Sequence, residues 1–129
     1  MAASSNGNYT NVQLLNGTTP KATNYTRSGF VTTSTNVSSV DSGGSSQVAW
    51  RFGGQSTVAM YGTCNFFRPF TSATTGYYVT SAYQGPSNFQ WYVLGGEQTE
   101  NYSATGFRIA ADTGGATYTG TVRVYGYRD

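Results

Sequence analysis

A chain of 129 residues has room for one domain and one core. Charged residues make up 9%, well below the ~25% of ordinary soluble domains. The net charge of +2, spread over Lys21 and scattered arginines, forms no basic run able to follow phosphates, which argues against nucleic acid. Histidine is missing, so the common Ser–His and Cys–His nucleophile pairs and the usual Cys/His zinc sites are excluded, and no metal or cofactor is expected. No apolar stretch approaches the ~18 residues of a membrane span.

Residues 1–11 are rich in Ala, Ser, Asn and Gly, the composition of a flexible polar arm ahead of a folded domain over 12–129. The first residues lack the basic and apolar regions of a signal peptide. Strand patterns then follow in close succession. Asn11–Leu15 places Val12 and Leu14 on one face, and Thr-rich Gly29–Thr35 reads as exposed or near an edge. Gln47–Phe52 alternates, with Val48, Trp50 and Phe52 inward and Gln47, Ala49 and Arg51 outward; Thr57–Tyr61 sets Val58 and Met60 inward. Tyr77–Tyr83 precedes Asn88–Leu94, where Phe89, Trp91 and Val93 give the clearest expected core face. Phe107–Ala110 alternates around Arg108. Thr121–Tyr127 sets Val122 and Val124 against Thr121, Arg123, Tyr125 and Tyr127.

Between these runs DSGGSS (41–46), FGGQ (52–55), QGPSN (84–88), LGGEQ (94–98) and DTGGAT (112–117) read as loops, because Gly permits positive φ and Asn and Ser close local turns. No long window shows helical spacing. About eight or nine short strands at this spacing predict an all-β fold, an antiparallel, jelly-roll-like β-sandwich. One internal echo, TVAMYG (57–62) against TVRVYG (121–126), suggests related halves, or simply two strands of the same kind closed by a turn glycine.

The acids are Asp41, Glu97, Glu100, Asp112 and Asp129. Glu97 and Glu100 are the one pair near enough for glycoside hydrolysis, though a solvated turn explains them as well. DSGGSS and DTGG offer calcium one carboxylate each. Cys64, the single cysteine, is expected to be a small buried hydrophobe. Five N-x-S/T matches (Asn8, Asn16, Asn24, Asn36, Asn101) carry little weight where Ser, Thr and Asn form a third of the chain.

Eleven Tyr, two Trp and seven Phe exceed what such a core requires. Tyr78, Tyr92, Tyr125 and Tyr127 are expected to face outward, where tyrosine among Asn, Gln and Ser serves a protein interface, cross-strand pairing or a sugar ring. Arg51, Arg108 and Arg123 are expected outward too, suited to a carboxylate on another chain or to stacking on tyrosine. The interface candidates are therefore Tyr9, Arg51, Arg108, Arg123, Tyr125 and Tyr127. The glycan candidates, at strand ends and loops, are Tyr83, Asn88, Tyr92 and Tyr102.

Residues 105–126, TGFRIAADTGGATYTGTVRVYG, cover about a fifth of the chain and resemble the C-terminal signature of small structural proteins of tailed bacteriophages. In that group a G-[FI]-R-I strand, here Gly106–Ile109, precedes GT-[VIF]-[RK]-[VL]-YG, here Gly120–Gly126. The resemblance implies a jelly-roll-like sandwich on a virion, as a capsid decoration protein, head fibre or fibre tip, with no catalytic residue. The resulting expectation is a non-enzymatic capsid decoration (cement) protein on the virion, a homotrimer bound to the major capsid protein. The alternative is a receptor- or glycan-binding module of a tail or head fibre, reading a host surface glycan.

Overall fold

The computed structural model describes residues 9–33, 49–53, 59–84, 89–111 and 118–126, and residues 2–3 and 37–47 through their backbone. Among the described residues every regular element is a strand: β1 (Ala2–Ala3), β2 (Thr10–Asn16), β3 (Thr19–Pro20), β4 (Tyr25–Thr33), β5 (Val37–Gln47), β6 (Trp50–Gly53), β7 (Met60–Phe67), β8 (Ala73–Gln84), β9 (Phe89–Tyr102), β10 (Gly106–Ala111) and β11 (Tyr118–Thr119). The all-β sandwich is as expected. One sheet runs β5-β4-β9-β8-β7; the other runs β10-β2-β3, with β6 also against β2; short β1 and β11 pair with each other. All pairings are antiparallel. Strand β4 precedes the β7–β8–β9 meander yet lies beside its last member, a Greek-key order read from the C-terminal side.

Local chemistry explains the pieces. Asn16 pairs with Thr19 across a two-residue turn whose first central residue is Gly17 at φ 63°, where glycine carries no Cβ penalty. In β8, Thr75, Tyr77, Val79, Ser81 and Tyr83 are all buried, every second residue of the strand.

The core lies between Leu14, Trp50 and Phe107 of the smaller sheet and Tyr25, Val31, Tyr77, Val79, Tyr92 and Leu94 of the larger. Trp50 is its hub. Its ring stacks on Tyr77 with centroids 4.3 Å apart, meets Tyr25 edge-on at 4.9 Å and leans on Phe66 at 5.9 Å.

Several expectations are corrected. Strand β2 begins at Thr10, so Thr10 and Asn11 are buried sheet residues rather than the end of an arm. Ala49, expected outward, is buried just before β6. DSGGSS lies within edge strand β5, where register shifts against β4 absorb the glycines. LGGEQ is the middle of β9, hydrogen-bonded to both β4 and β8. A Cβ on Gly96 would strike the Tyr77 ring and the Thr26 carbonyl, so this glycine serves close packing, not a turn.

In β9 the alternation is the reverse of that expected. Tyr92 and Leu94 point into the core, while Phe89 and Trp91 lie on the solvent face. Residues 121–126 join no strand, and Val122 and Val124, expected in the core, are exposed. Expectations for Val48, Val58, Asn88, Tyr127, residues 85–87 and DTGGAT (112–117) fall outside the described residues.

Candidate interaction face

Strand register places side chains in rows on the outer face of the five-stranded sheet. Trp91 of β9 lies between Thr32 of β4 and Ala82 of β8, with Tyr61 of β7 beyond Ala82. In the next row Phe30 pairs with Val93, followed by Thr80 and Thr63, whose hydroxyls lie 2.9 Å apart. The third row holds Ser28, Gly95, Tyr78 and Asn65; Phe89 and Phe67 lie toward opposite ends of the face. Trp91 is 52% exposed, Phe30 59% and Tyr61 72%, and Phe67, Tyr78 and Phe89 are also exposed. Among the residues named in these three rows none is charged. A folded chain normally hides such a stretch of apolar surface.

The opposite face of β9 and β8 shows why two glycan candidates cannot read a sugar. Tyr83 and Tyr92 are each 4% exposed, and both hydroxyls donate to Gln90 Oε1, at 2.6 and 3.3 Å. Burial pushes the Tyr92 phenol well above its ordinary range. Tyr102 is half-buried, raised for the same first cause, with Lys21 Nζ 4.9 Å from its ring centre. These tyrosines are structural.

The interface candidates divide. The Arg51 guanidinium lies 3.5 Å from the centre of the Tyr9 ring, so those two do meet, in a cation–π contact within the chain. Arg108 is exposed on β10 beside Gln13, to whose Oε1 it donates at 2.6 Å. Arg123 and Tyr125 are exposed on the segment after Gly120. The structure thus brings together Tyr9 and Arg51 and leaves Arg123 and Tyr125 on a separate segment.

The two glutamates are not a matched pair. Glu97 is exposed beside Gly76 in the regular part of β9. Glu100 sits in the irregular stretch between Gln98 and Tyr102, where Lys21 Nζ donates to its Oε2 at 2.6 Å and Asn24 Nδ2 and Thr23 Oγ1 to its Oε1 at 2.7 and 3.1 Å. These bonds, Lys21 first, hold its carboxyl below the usual carboxylate range. Glu100 therefore pins the 21–24 connection onto β9. Cys64 is half-buried on β7, and burial pushes its thiol up to about 12.

Alternation alone hides the aromatic face, because Phe89, Trp91 and Val93 form the more apolar side of FQWYVL and so read as the inward one. One sequence signal favours the observed parity: Leu94 is the bulkiest aliphatic residue of the run.

Compared with protein-family models, curated proteins and solved structures, the chain finds no match.

Proposed function

We propose that this chain is a non-enzymatic structural protein of a virion, most specifically a capsid decoration protein that attaches to the major capsid protein through the outer face of its five-stranded sheet. The observation that carries the reading is the exposed set Phe30, Tyr61, Tyr78, Phe89 and Trp91 on one sheet face. Aromatic residues with few charges between them are the composition of interface cores, where rigid rings bury large area at small entropic cost. The Gly106–Ile109 and Gly120–Gly126 resemblance supplies the virion. Several copies on one shell would multiply a modest contact by avidity.

The same rings favour one second reading. Trp91, Tyr61 and Tyr78 are flat, exposed and set among threonines, which also suits a sugar ring. A receptor- or glycan-binding module of a fibre would therefore use these residues rather than Tyr83 and Tyr92.

Immunogold labelling of purified virions separates the two. Label distributed over the head supports decoration, and label confined to fibre tips supports the second reading. Virions without label would refute both.

A further inference from the structure

We propose that residues 121–126 of one copy add as an extra strand along the outer edge of β7, over its residues 61–67, in a second copy of this chain. The segment Thr-Val-Arg-Val-Tyr-Gly has strand chemistry without a sheet. No backbone hydrogen bond among the described residues involves it, and Val122, Val124 and Tyr125 are 50%, 71% and 76% exposed. Exposed β-branched side chains in period two are the pattern of a peptide that completes another sheet.

The β7 edge is a sheet without its last strand. Among the described residues β7 pairs with β8 alone, over eight residues with no register shift. Its sequence, MYGTCNFF, holds no charge and no proline, and β7 carries none of the bulges that usually blunt an edge. The core beneath it is also incomplete. Ser81, Val79 and Tyr77 of β8 are buried, whereas the β7 residues paired with them, Gly62, Cys64 and Phe66, are exposed or half-buried. A strand added here with Val122 and Val124 inward would cover Cys64 and Phe66. Its Arg123 and Tyr125 would then extend the outer face beyond Tyr61.

The echo between TVAMYG and TVRVYG fits this placement. Met60 of β7 points inward and Tyr61 outward, and Val124 and Tyr125 stand in the same order in the segment. Every copy carries one donor segment and one acceptor edge. Such a head-to-tail contact closes into a ring when its rotation permits. The assembly does not depend on what the aromatic face binds.

Cys64 is a built-in reporter, since directly opposite cross-strand residues on one face have Cβ atoms about 4.5–5.5 Å apart, and an edge strand shifts easily by the ångström or so that brings them to the Cβ spacing of a disulfide, about 3.5–4.5 Å. Val122→Cys and Val124→Cys are made separately in the full chain and oxidised with copper–phenanthroline. One or both should give linked chains on non-reducing gels, with the bridge mapped by mass spectrometry to Cys64 of another copy. The linked species should be lost in Arg123→Cys, on the opposite face, and when Cys64→Ser is combined with either variant. In parallel, sedimentation velocity of the unmodified chain should show a multimer that becomes monomeric on deleting residues 121–129, while the shortened chain still unfolds in one cooperative thermal transition, at a midpoint lowered by the lost association. A bridge to Cys64 within the same chain, no Cys64 bridge from either valine position, or a multimer that survives the deletion would overturn the proposal.

Discussion

The Leu14 N–H donates to the Tyr25 hydroxyl at 2.9 Å, a hydrogen bond that crosses from one sheet of the sandwich to the other. It fills a gap in a ladder. On that side of β2, pairing with β6 covers residues 10–12 and pairing with β3 covers residues 15–16. Between them the Leu14 carbonyl accepts the Lys21 N–H at 2.9 Å, and the Tyr25 hydroxyl in turn donates to the Lys21 carbonyl at 3.2 Å. Tyr25→Phe keeps the ring against Trp50 but orphans a buried N–H. A loss of about 1–3 kcal/mol in chemical denaturation is expected; no loss would mean the hydroxyl does not tie the sheets.

Gly96 and Gly95 make a paired prediction. A Cβ on Gly96 meets the Thr26 carbonyl and the Tyr77 ring, while one on Gly95 finds its nearest atom, the Tyr77 carbonyl oxygen, at an ordinary 3.6 Å. Gly96→Ala should cost about 1–3 kcal/mol through overpacking. Gly95→Ala should stay within about 0.5 kcal/mol of the parent. Equal midpoints in urea would contradict the role assigned to Gly96.

How much of this was legible in the sequence depends on whether composition and packing pointed the same way. Val12, Leu14 and Trp50 read correctly because polar Asn11, Gln13 and Arg51 alternate with them. In β9 that contrast vanishes, and the parity was set instead by phenols satisfied on Gln90 and by a Gly96 that makes room for Tyr77. The glycines of 94–98 carry no local mark separating a turn from close packing. Likewise TVRVYG reads as a strand, and its pattern is a strand's; what the pattern does not state is which chain provides the neighbour.

The pH dependence has two limbs. Burial raises Tyr25 to about 12 and pushes Tyr92 and Tyr102 up as well. Unfolded tyrosines ionise near about pH 10. These groups therefore contribute stability that is complete below about pH 10 and is lost as pH climbs through the higher folded values. Glu100 works in the opposite sense, its folded pKa being lowered mainly by Lys21. Its contribution is present above the unfolded carboxyl value, about 4.3, and is lost as pH falls through the lower folded value. Thermal midpoints measured across pH should fall on both limbs, and Glu100→Gln should flatten the acid limb alone. An acid limb unchanged by Glu100→Gln would contradict the anchoring of residues 21–24.

Deleting residues 1–8 is the arm truncation that spares β2, since Thr10 and Asn11 are buried sheet residues. It removes the short two-residue pairing of β1 with β11 and should leave the thermal midpoint within about the shift that 0.5 kcal/mol produces. Deleting residues 1–11 removes part of the central strand of its sheet and should lower the midpoint clearly. Equal midpoints for the two truncations would contradict the boundary at Thr10.

The central claim is that the outer face of the five-stranded sheet binds the capsid. Trp91→Ser combined with Phe30→Ser removes two exposed rings, so stability should change by no more than about 1 kcal/mol in all. An aromatic hot spot carries about 2 kcal/mol or more, roughly a thirtyfold change in affinity. Co-sedimentation of the double variant with bare capsid shells is the direct measurement. The account predicts that a folded double variant stays in the supernatant at concentrations where the parent pellets; parent and variant pelleting alike would contradict it.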